Sequence, residues 1–416
     1  MHVAHVLRKL DPAAWGGVET HVHALAAALR ARDVGGTLFA PRRGPEDEAP
    51  GGAPVERYRA LLPVLGPAER RRALWAVGGN LISLDLPLRL ARDARFALAH
   101  AHTQRRVGGA VRVAMRHTGR PYVVSIHGPL LSAPAWVAEE SARRRGRSLD
   151  VGQPWGALVG ARRVLRDADR VIVFNRAEEA AVRTHLAPHG RAERVVRMSQ
   201  GVDARRFARG HRRATRRALG LDDETPLVMQ VGRLGAQKNQ AFALEVFARA
   251  GGPGVLAFVG AETDPGEADA LRDAARAAGV AERVRLLGNQ PPERIPDLLA
   301  AADLVLAPSR HEAFGLQVVE AWAAGRPTLF AAVGGQADLA AHLDAGMALA
   351  AGDAGAWVDR LRGLLADPQA RRALGHAAQR AAASFDWGAV AARHESLYAA
   401  VCHERGRAPK RLAGHA

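Results

Sequence analysis

Between Val231 and Glu320 the chain carries two cations and two carboxylates at spacings that suggest a bound ligand. Val231-Gly232-Arg233-Leu234 leads to Lys238, and Glu312-Ala313-Phe314-Gly315-Leu316 leads to Glu320, with seven residues between the two acids. Two fixed cations beyond a strand end neutralise a diphosphate and stabilise its charge as it departs. Two carboxylates from one short segment are badly placed as the acid and base of a glycosidase. They are better placed to accept hydrogen bonds from vicinal hydroxyls, such as those of a sugar and a ribose. The N–H groups of Phe314, Gly315 and Leu316, at the mouth of a helix expected to run to Ala324, suit a phosphate. The chemistry implied is recognition of a nucleotide-linked sugar. The bland alternative is a set of solvated surface charges.

The N-terminal half offers weaker signals. Gly16-Gly17-Val18-Glu19-Thr20-His21 precedes the first expected helix, and paired glycines there allow a ligand close to the backbone. A tight packing turn would explain them equally well. His127-Gly128 ends a strand, where an imidazole can meet a hydroxyl or a developing charge. His100 and His102 also flank a strand end, but as a zinc pair they lack third and fourth ligands in the sequence.

These groups need scaffolding, and the chain supplies an alternation of strand-like and helix-like segments, the pattern of doubly wound parallel sheets. Expected strands are Val3–Leu7, Gly36–Ala40, Ala97–Ala101, Tyr122–Ile126 and Arg170–Phe174, with a helix at His21–Arg32. The alternation breaks at Ser199-Gln200-Gly201-Val202-Asp203 into an Arg-rich stretch ending near Asp223, expected to be a domain linker. It resumes with strands Leu227–Val231, Val255–Val259, Val284–Leu287, Leu304–Ala307 and Thr328–Ala332. The intervening helices are Ala241–Arg249, Glu267–Ala278 and Arg294–Ala302, and a last helix is expected over Gly388–Val401. Ligands of such sheets sit beyond the carboxyl ends of the strands, where all of these motifs fall.

With 416 residues, 48% hydrophobic and 24% charged, the chain has the composition of a soluble two-domain protein. Its single cysteine, Cys402, excludes an intramolecular disulfide and points to a reducing cytoplasm. The N-terminus meets charge too early for a signal peptide. A net charge of +17 invites a nucleic-acid or anionic-membrane partner. No aromatic RNA-binding motif accompanies it, and an Arg-rich coding background explains it as well. The densest runs, Glu69-Arg70-Arg71-Arg72 and Arg143-Arg144-Arg145-Gly146-Arg147, read as solvated faces or as contacts to anionic lipid.

Taken together, the Gly-Gly-x-Glu-x-His start, His127-Gly128, Gly201-Val202-Asp203, Gly-Arg-Leu with Lys238 and the two spaced glutamates resemble the family 4 glycosyltransferases. The resemblance runs to about Val401. It implies the GT-B architecture: two Rossmann-like doubly wound domains facing a cleft, with a C-terminal helix crossing back. The expected divisions are 1–205 for acceptor, 206–385 for donor, 386–402 for the crossover helix and 403–416 for a disordered basic tail. It implies a retaining transfer from a nucleoside-diphosphate sugar, UDP-linked by preference, to an acceptor hydroxyl, with neither metal nor cofactor. By this resemblance Arg233 and Lys238 bind the diphosphate, with Gly232 beside them. Glu312 holds sugar hydroxyls and Glu320 the ribose, while Phe314, Gly315 and Leu316 give backbone contacts. His127 meets the transferred sugar, Gly16 and Gly17 lie where acceptor and phosphate meet, and Asn289 lines the base pocket. Gln200 in place of Asn, the apolar run Thr328–Val333 and Asp338 in place of Glu depart from the family pattern. The alternatives are a sugar-nucleotide epimerase or phosphorylase on this scaffold and, remotely, a basic nucleic-acid-binding protein. The acceptor is a soluble metabolite, a glycan or a lipid-linked sugar, with a peripheral contact to the inner membrane face as an option.

Overall fold

The computed structural model describes residues 1–11, 16–42, 53–137, 139, 149–343 and 346–406. It divides into two compact units, Met1–Gly201 with the segment from Trp387 onward, and Val202–Asp386.

The first unit is built on seven strands: β1 (His2–Val6), β2 (Gly35–Pro41), β3 (Val55–Tyr58), β4 (Leu98–Ala101), β5 (Tyr122–Ser125), β6 (Arg170–Val173) and β7 (Val195–Arg197). Their order is β3-β2-β1-β4-β5-β6-β7, all parallel. Every residue of β4 and β5 is buried, as expected where helices cover both faces of a parallel sheet and strands read as short apolar runs. The chain moves from β1 outward to β3 and then returns to the other side of β1, so the sheet reverses direction between β1 and β4. Register across that reversal sets His5 beside His100. Helices α1 (Gly17–Arg30) and α2 (Arg105–Thr118) follow β1 and β4.

The second unit repeats the scheme with six strands: β8 (Leu227–Val231), β9 (Val255–Val259), β10 (Val284–Leu286), β11 (Leu304–Ala307), β12 (Thr328–Ala331) and β13 (Ala348–Leu349), ordered β10-β9-β8-β11-β12-β13. Here the reversal lies between β8 and β11. Three of its helices matter below: α3 (Gln240–Ala250), α4 (Leu316–Ala323) and α5 (Gly334–Leu339). The last helix, α6 (Trp387–Glu404), belongs to the first unit; Val390, Ala391, His394, Tyr398 and Val401 recur along its buried face at helical spacing.

Two expectations need correction. The Arg-rich stretch taken as a linker is structured: Ala204–Ala208 and Arg212–Ala218 are helices, and the second unit already begins at Val202. Two of its arginines, Arg212 and Arg216, are internal caps, while Arg205, Arg209, Arg213 and Arg217 remain exposed. Arg212 Nη1 donates to the carbonyls of Ala301 and Ala302 at 3.1 and 2.9 Å, ending the helix Ile295–Ala301. Arg216, only 1% exposed, donates to Ala301 O at 2.8 Å and to Asp303 at 3.1 Å. A guanidinium satisfies several orphan carbonyls at a helix C-terminus, where its charge also opposes the helix dipole. The tail is the second correction: His403 and Glu404 are still helical, and the rest of it, 407–416, lies outside the described residues. So does the run Arg143–Arg147.

Candidate functional site

At the reversal of the second sheet, the loop after β8 meets the loop after β11. The two are stitched by backbone and amide contacts. Arg310 N donates to Gln237 O at 2.8 Å, Gln237 Nε2 to His311 O at 3.1 Å, and Asn239 Nδ2 to Pro308 O at 3.3 Å. Across this seam Lys238 Nζ lies 2.6 Å from Glu312 Oε1, an ion pair that is largely shielded from solvent. Gln317 Nε2 adds a hydrogen bond to the same oxygen at 3.3 Å. Sequence reading did not single out Gln317; its place one turn after Glu312 was the available signal.

Glycines let the loop sit this low. Gly315, at φ +103°, is the N-cap of α4, and a Cβ there would fall 2.8 Å from Gln336 Cγ. A Cβ on Gly335 would fall 2.3 Å from Ala313 O and 2.4 Å from Phe314 Cα, so α5 lies directly against the Glu312–Phe314 backbone. Gly335 N donates to Glu312 O at 2.8 Å. Phe314 is buried, and no side chain caps the first N–H groups of α4.

Glu320 lies within α4, and burial pushes its carboxyl up to about 7 while Arg206 and Lys238 pull it down. Lys238 therefore acts electrostatically on both carboxylates. Arg233 is exposed, and no described contact ties its side chain to this group; its carbonyl accepts from Gln240 Nε2 at 3.0 Å. Asn289 is exposed on the loop after β10. That loop is joined to the same sheet edge, with Gly260 N donating to Gly288 O at 2.9 Å and Gly232 N to Val259 O at 2.8 Å.

In the first unit the reversal between β1 and β4 gathers imidazoles. His5, His21, His100, His102 and His394 are buried. His102 Nε2 lies 3.1 Å from His5 Nδ1, and its Nδ1 lies 2.9 Å from His127 Nε2. His100 binds the hydroxyls of Tyr398 and Ser125, each at 2.7 Å. Desolvation holds all six neutral: His5 and His127 fall to about 3, His394 to about 4, and the others well below their ordinary value. A neutral imidazole has one N–H and one lone pair, so the row His5–His102–His127 must orient all its protons the same way. His127 Nδ1, both nitrogens of His21 and His5 Nε2 are buried without a partner among the described residues.

The third imidazole that the sequence did not supply to His100 and His102 is His5, whose ring nitrogen lies within 4.8 Å of theirs. Both nitrogens of His100 and of His102 are already hydrogen-bonded, so sharing an ion would break those bonds. The expectation that the chain has no Asp-x-Asp motif for a cation is corrected by Asp167-Ala168-Asp169. Its carboxylates are engaged, Asp167 by Arg112 at 2.6 Å and Asp169 by Arg405 at 2.7 Å. Gly16 caps α1 in an extended conformation, and Gly17 opens the helix exposed to solvent.

Comparison with known proteins identifies the family and the fold. Residues 211–381 match the model for glycosyl transferases group 1, and residues 16–201 that for a glycosyl transferase 4-like domain. The chain is 34% identical over 262 residues to a D-inositol 3-phosphate glycosyltransferase of Nocardia farcinica, a match covering 61% of this chain and 58% of that one. It is 32% identical to the enzyme of that name from Thermobispora bispora, covering 70% of this chain and 74% of that one. Among solved structures, Anabaena Alr3699/HepE in complex with UDP and glucose superposes with a TM-score of 0.74 at 20% identity, over 96% of this chain and all (100%) of that one. Sucrose-phosphate synthase from Thermosynechococcus elongatus gives 0.76 at 24% identity, over 97% and 99%. The chain belongs to the group 1 glycosyltransferases, in family 4, and is a transferase of the GT-B fold.

Proposed function

We propose that the protein moves a sugar from a UDP-sugar to an acceptor hydroxyl with retention of configuration, without a metal ion or cofactor. The observation carrying this reading is the Lys238–Glu312 pair at the reversal of the second sheet, beside the uncapped start of α4. An arriving diphosphate takes Lys238 as its counter-charge and releases Glu312 to accept hydrogen bonds from sugar hydroxyls. Arg233, exposed on the loop after β8, closes on the same phosphates. Glu320 accepts from the ribose, Asn289 borders the base, and Phe314, Gly315 and Leu316 offer backbone contacts, with Gly232 keeping the approach open. His127 donates or accepts through its one unpaired nitrogen, and Gly16 and Gly17 leave the backbone of α1 open to a ligand. No carboxylate here is set as a nucleophile. The departing phosphate takes the acceptor proton on the same face, and the cations stabilise its charge.

UDP is favoured because HepE was solved with UDP and with UDP-glucose. An inositol phosphate is the first acceptor to try, since the relatives carry that name. The enzyme is further proposed to work in the cytoplasm, at a membrane face rather than through it; no described helix is long and apolar enough to cross one. Thermal-shift screening against UDP-, GDP- and ADP-sugars, followed by a product search with the best donor, tests the assignment. Equal indifference to all three donors would refute it.

A further inference from the structure

Every large hydrophobic side chain exposed among the described residues belongs to the first unit and falls between residues 61 and 158. Three of them, Leu65, Leu149 and Val151, lie on one two-stranded ribbon. Val64–Leu65 pairs antiparallel with Leu149–Asp150, in a register that sets Leu65 opposite Leu149. These are 59% and 64% exposed, whereas Val64 points inward at 2%. Val151 N continues the ribbon by donating to Pro63 O at 2.9 Å. Each ribbon strand adjoins a short helix, Ala68–Ala76 on one side and Gln153–Leu158 on the other, and neither helix has a fully buried residue. Leu158, at 73%, is the most exposed apolar side chain of the set.

Basic residues border this surface. Arg71 and Arg72 lie on the first helix, and Arg162 and Arg163 follow the second; all four are exposed, and none forms an ion pair among the described residues. This contrasts with Arg112, Arg212 and Arg216, which are consumed internally. An exposed apolar ribbon flanked by unpaired arginines needs a partner that is oily at the centre and negative at the rim. A second copy of the chain meeting the same face would set these arginines against each other. A leaflet of anionic phospholipid offers acyl chains to the leucines and phosphates to the arginines.

We propose that the ribbon Val64–Leu65/Leu149–Asp150 and its two flanking helices dock the protein on an anionic membrane surface. This deepens the membrane-face part of the proposed function by naming the surface.

The test is co-sedimentation of the full-length protein with phosphatidylcholine vesicles, with and without about one third phosphatidylglycerol, in the absence of any sugar donor. A failed donor assignment therefore leaves the result unaffected, and the converse holds. Binding is expected only to the anionic vesicles, weakening as salt rises. Arg71→Gln with Arg72→Gln should lower it about 25-fold, from roughly fivefold per arginine. Leu65→Glu with Leu149→Glu should lower it at least about tenfold, with unchanged circular dichroism because both positions are already exposed. The same charge loss through Arg272→Gln and Arg276→Gln on the second unit should leave binding near that of the parent protein. Equal binding to neutral vesicles, equal loss from the second-unit pair, or a vesicle-free dimer that Leu65→Glu dissociates would each overturn the proposal.

Discussion

Lys238 is held by Glu312 at 2.6 Å before any donor arrives, so its two jobs can be separated by mutation. Lys238→Ala should lower transfer by about 100- to 1000-fold through loss of charge stabilisation, measured as product formed from saturating donor. Glu312→Gln should keep nucleotide binding while losing selectivity for the sugar; a Kd for UDP that collapses with it would contradict this division. Glu320 gives a pH signature. Its carboxyl is raised to about 7, so the ionised form, the one proposed to accept from a ribose, is scarce at pH 6 and dominant at pH 8. Donor affinity should rise roughly tenfold across that interval, and Glu320→Gln should flatten the profile. The stability sign is opposite. An acid raised in the fold favours the folded state while protonated, and that contribution disappears as pH climbs through 7. Glu320→Gln should therefore melt higher than the parent at pH 8. The two carboxylates, Lys238 and the glycines were legible because spacing alone reveals them. Gln317 and the partnering of His127 were not, since they depend on side chains brought together across turns and strands.

At the scale of elements, the α/β alternation was readable because parallel strands buried on both faces leave short apolar runs such as Leu227–Val231 and Leu304–Ala307. What misled was arginine. The stretch from Ala204 to Ala218 reads as polar linker, yet Arg212 and Arg216 hold the end of the helix Ile295–Ala301. No local pattern distinguishes a guanidinium that caps a distant helix from one that faces water. Arg216→Met should cost about 1–3 kcal/mol by leaving the buried carbonyl of Ala301 without this donor, while Arg212 and Leu227 N still hold Asp303, read as a lower denaturation midpoint. The Gly335 contact provides a second check. Gly335→Ala should destabilise by about 1–3 kcal/mol and loosen the Glu312–Phe314 loop, so that nucleotide binding weakens with it. Full retention of both would show that the contact tolerates a methyl group.

For the whole molecule, the six neutral imidazoles set an acid limit. Their side chains are depressed in the fold, so they favour the folded state only while the unfolded chain is also neutral, and stability falls as pH drops below 6.5. His5, His127 and His394, at about 3, 3 and 4, should each cost roughly 2 kcal/mol by pH 5, together a large part of a domain's stability. Circular dichroism against pH should show unfolding well above the carboxylate range, and His394→Leu should move the midpoint downward. The cluster was partly visible in sequence: strand ends named His100, His102 and His127, and the glycine motif before α1 ended on His21, but His5 and His394 come from β1 and α6, and only the fold brings all six together.

The chain enters the second unit at Val202 and leaves it at Asp386, and those two residues are bridged, with Val202 N donating to Phe385 O at 2.8 Å. Residues 202–386 thus form a closed loop of polypeptide threaded into the middle of the first unit's sequence, with its start and finish pinned side by side. Such a cassette can be cut out and replaced by a cognate piece at one seam without rerouting the host chain. Under the proposed function, such an exchange carries the nucleotide preference with it as a parcel and leaves the acceptor unchanged.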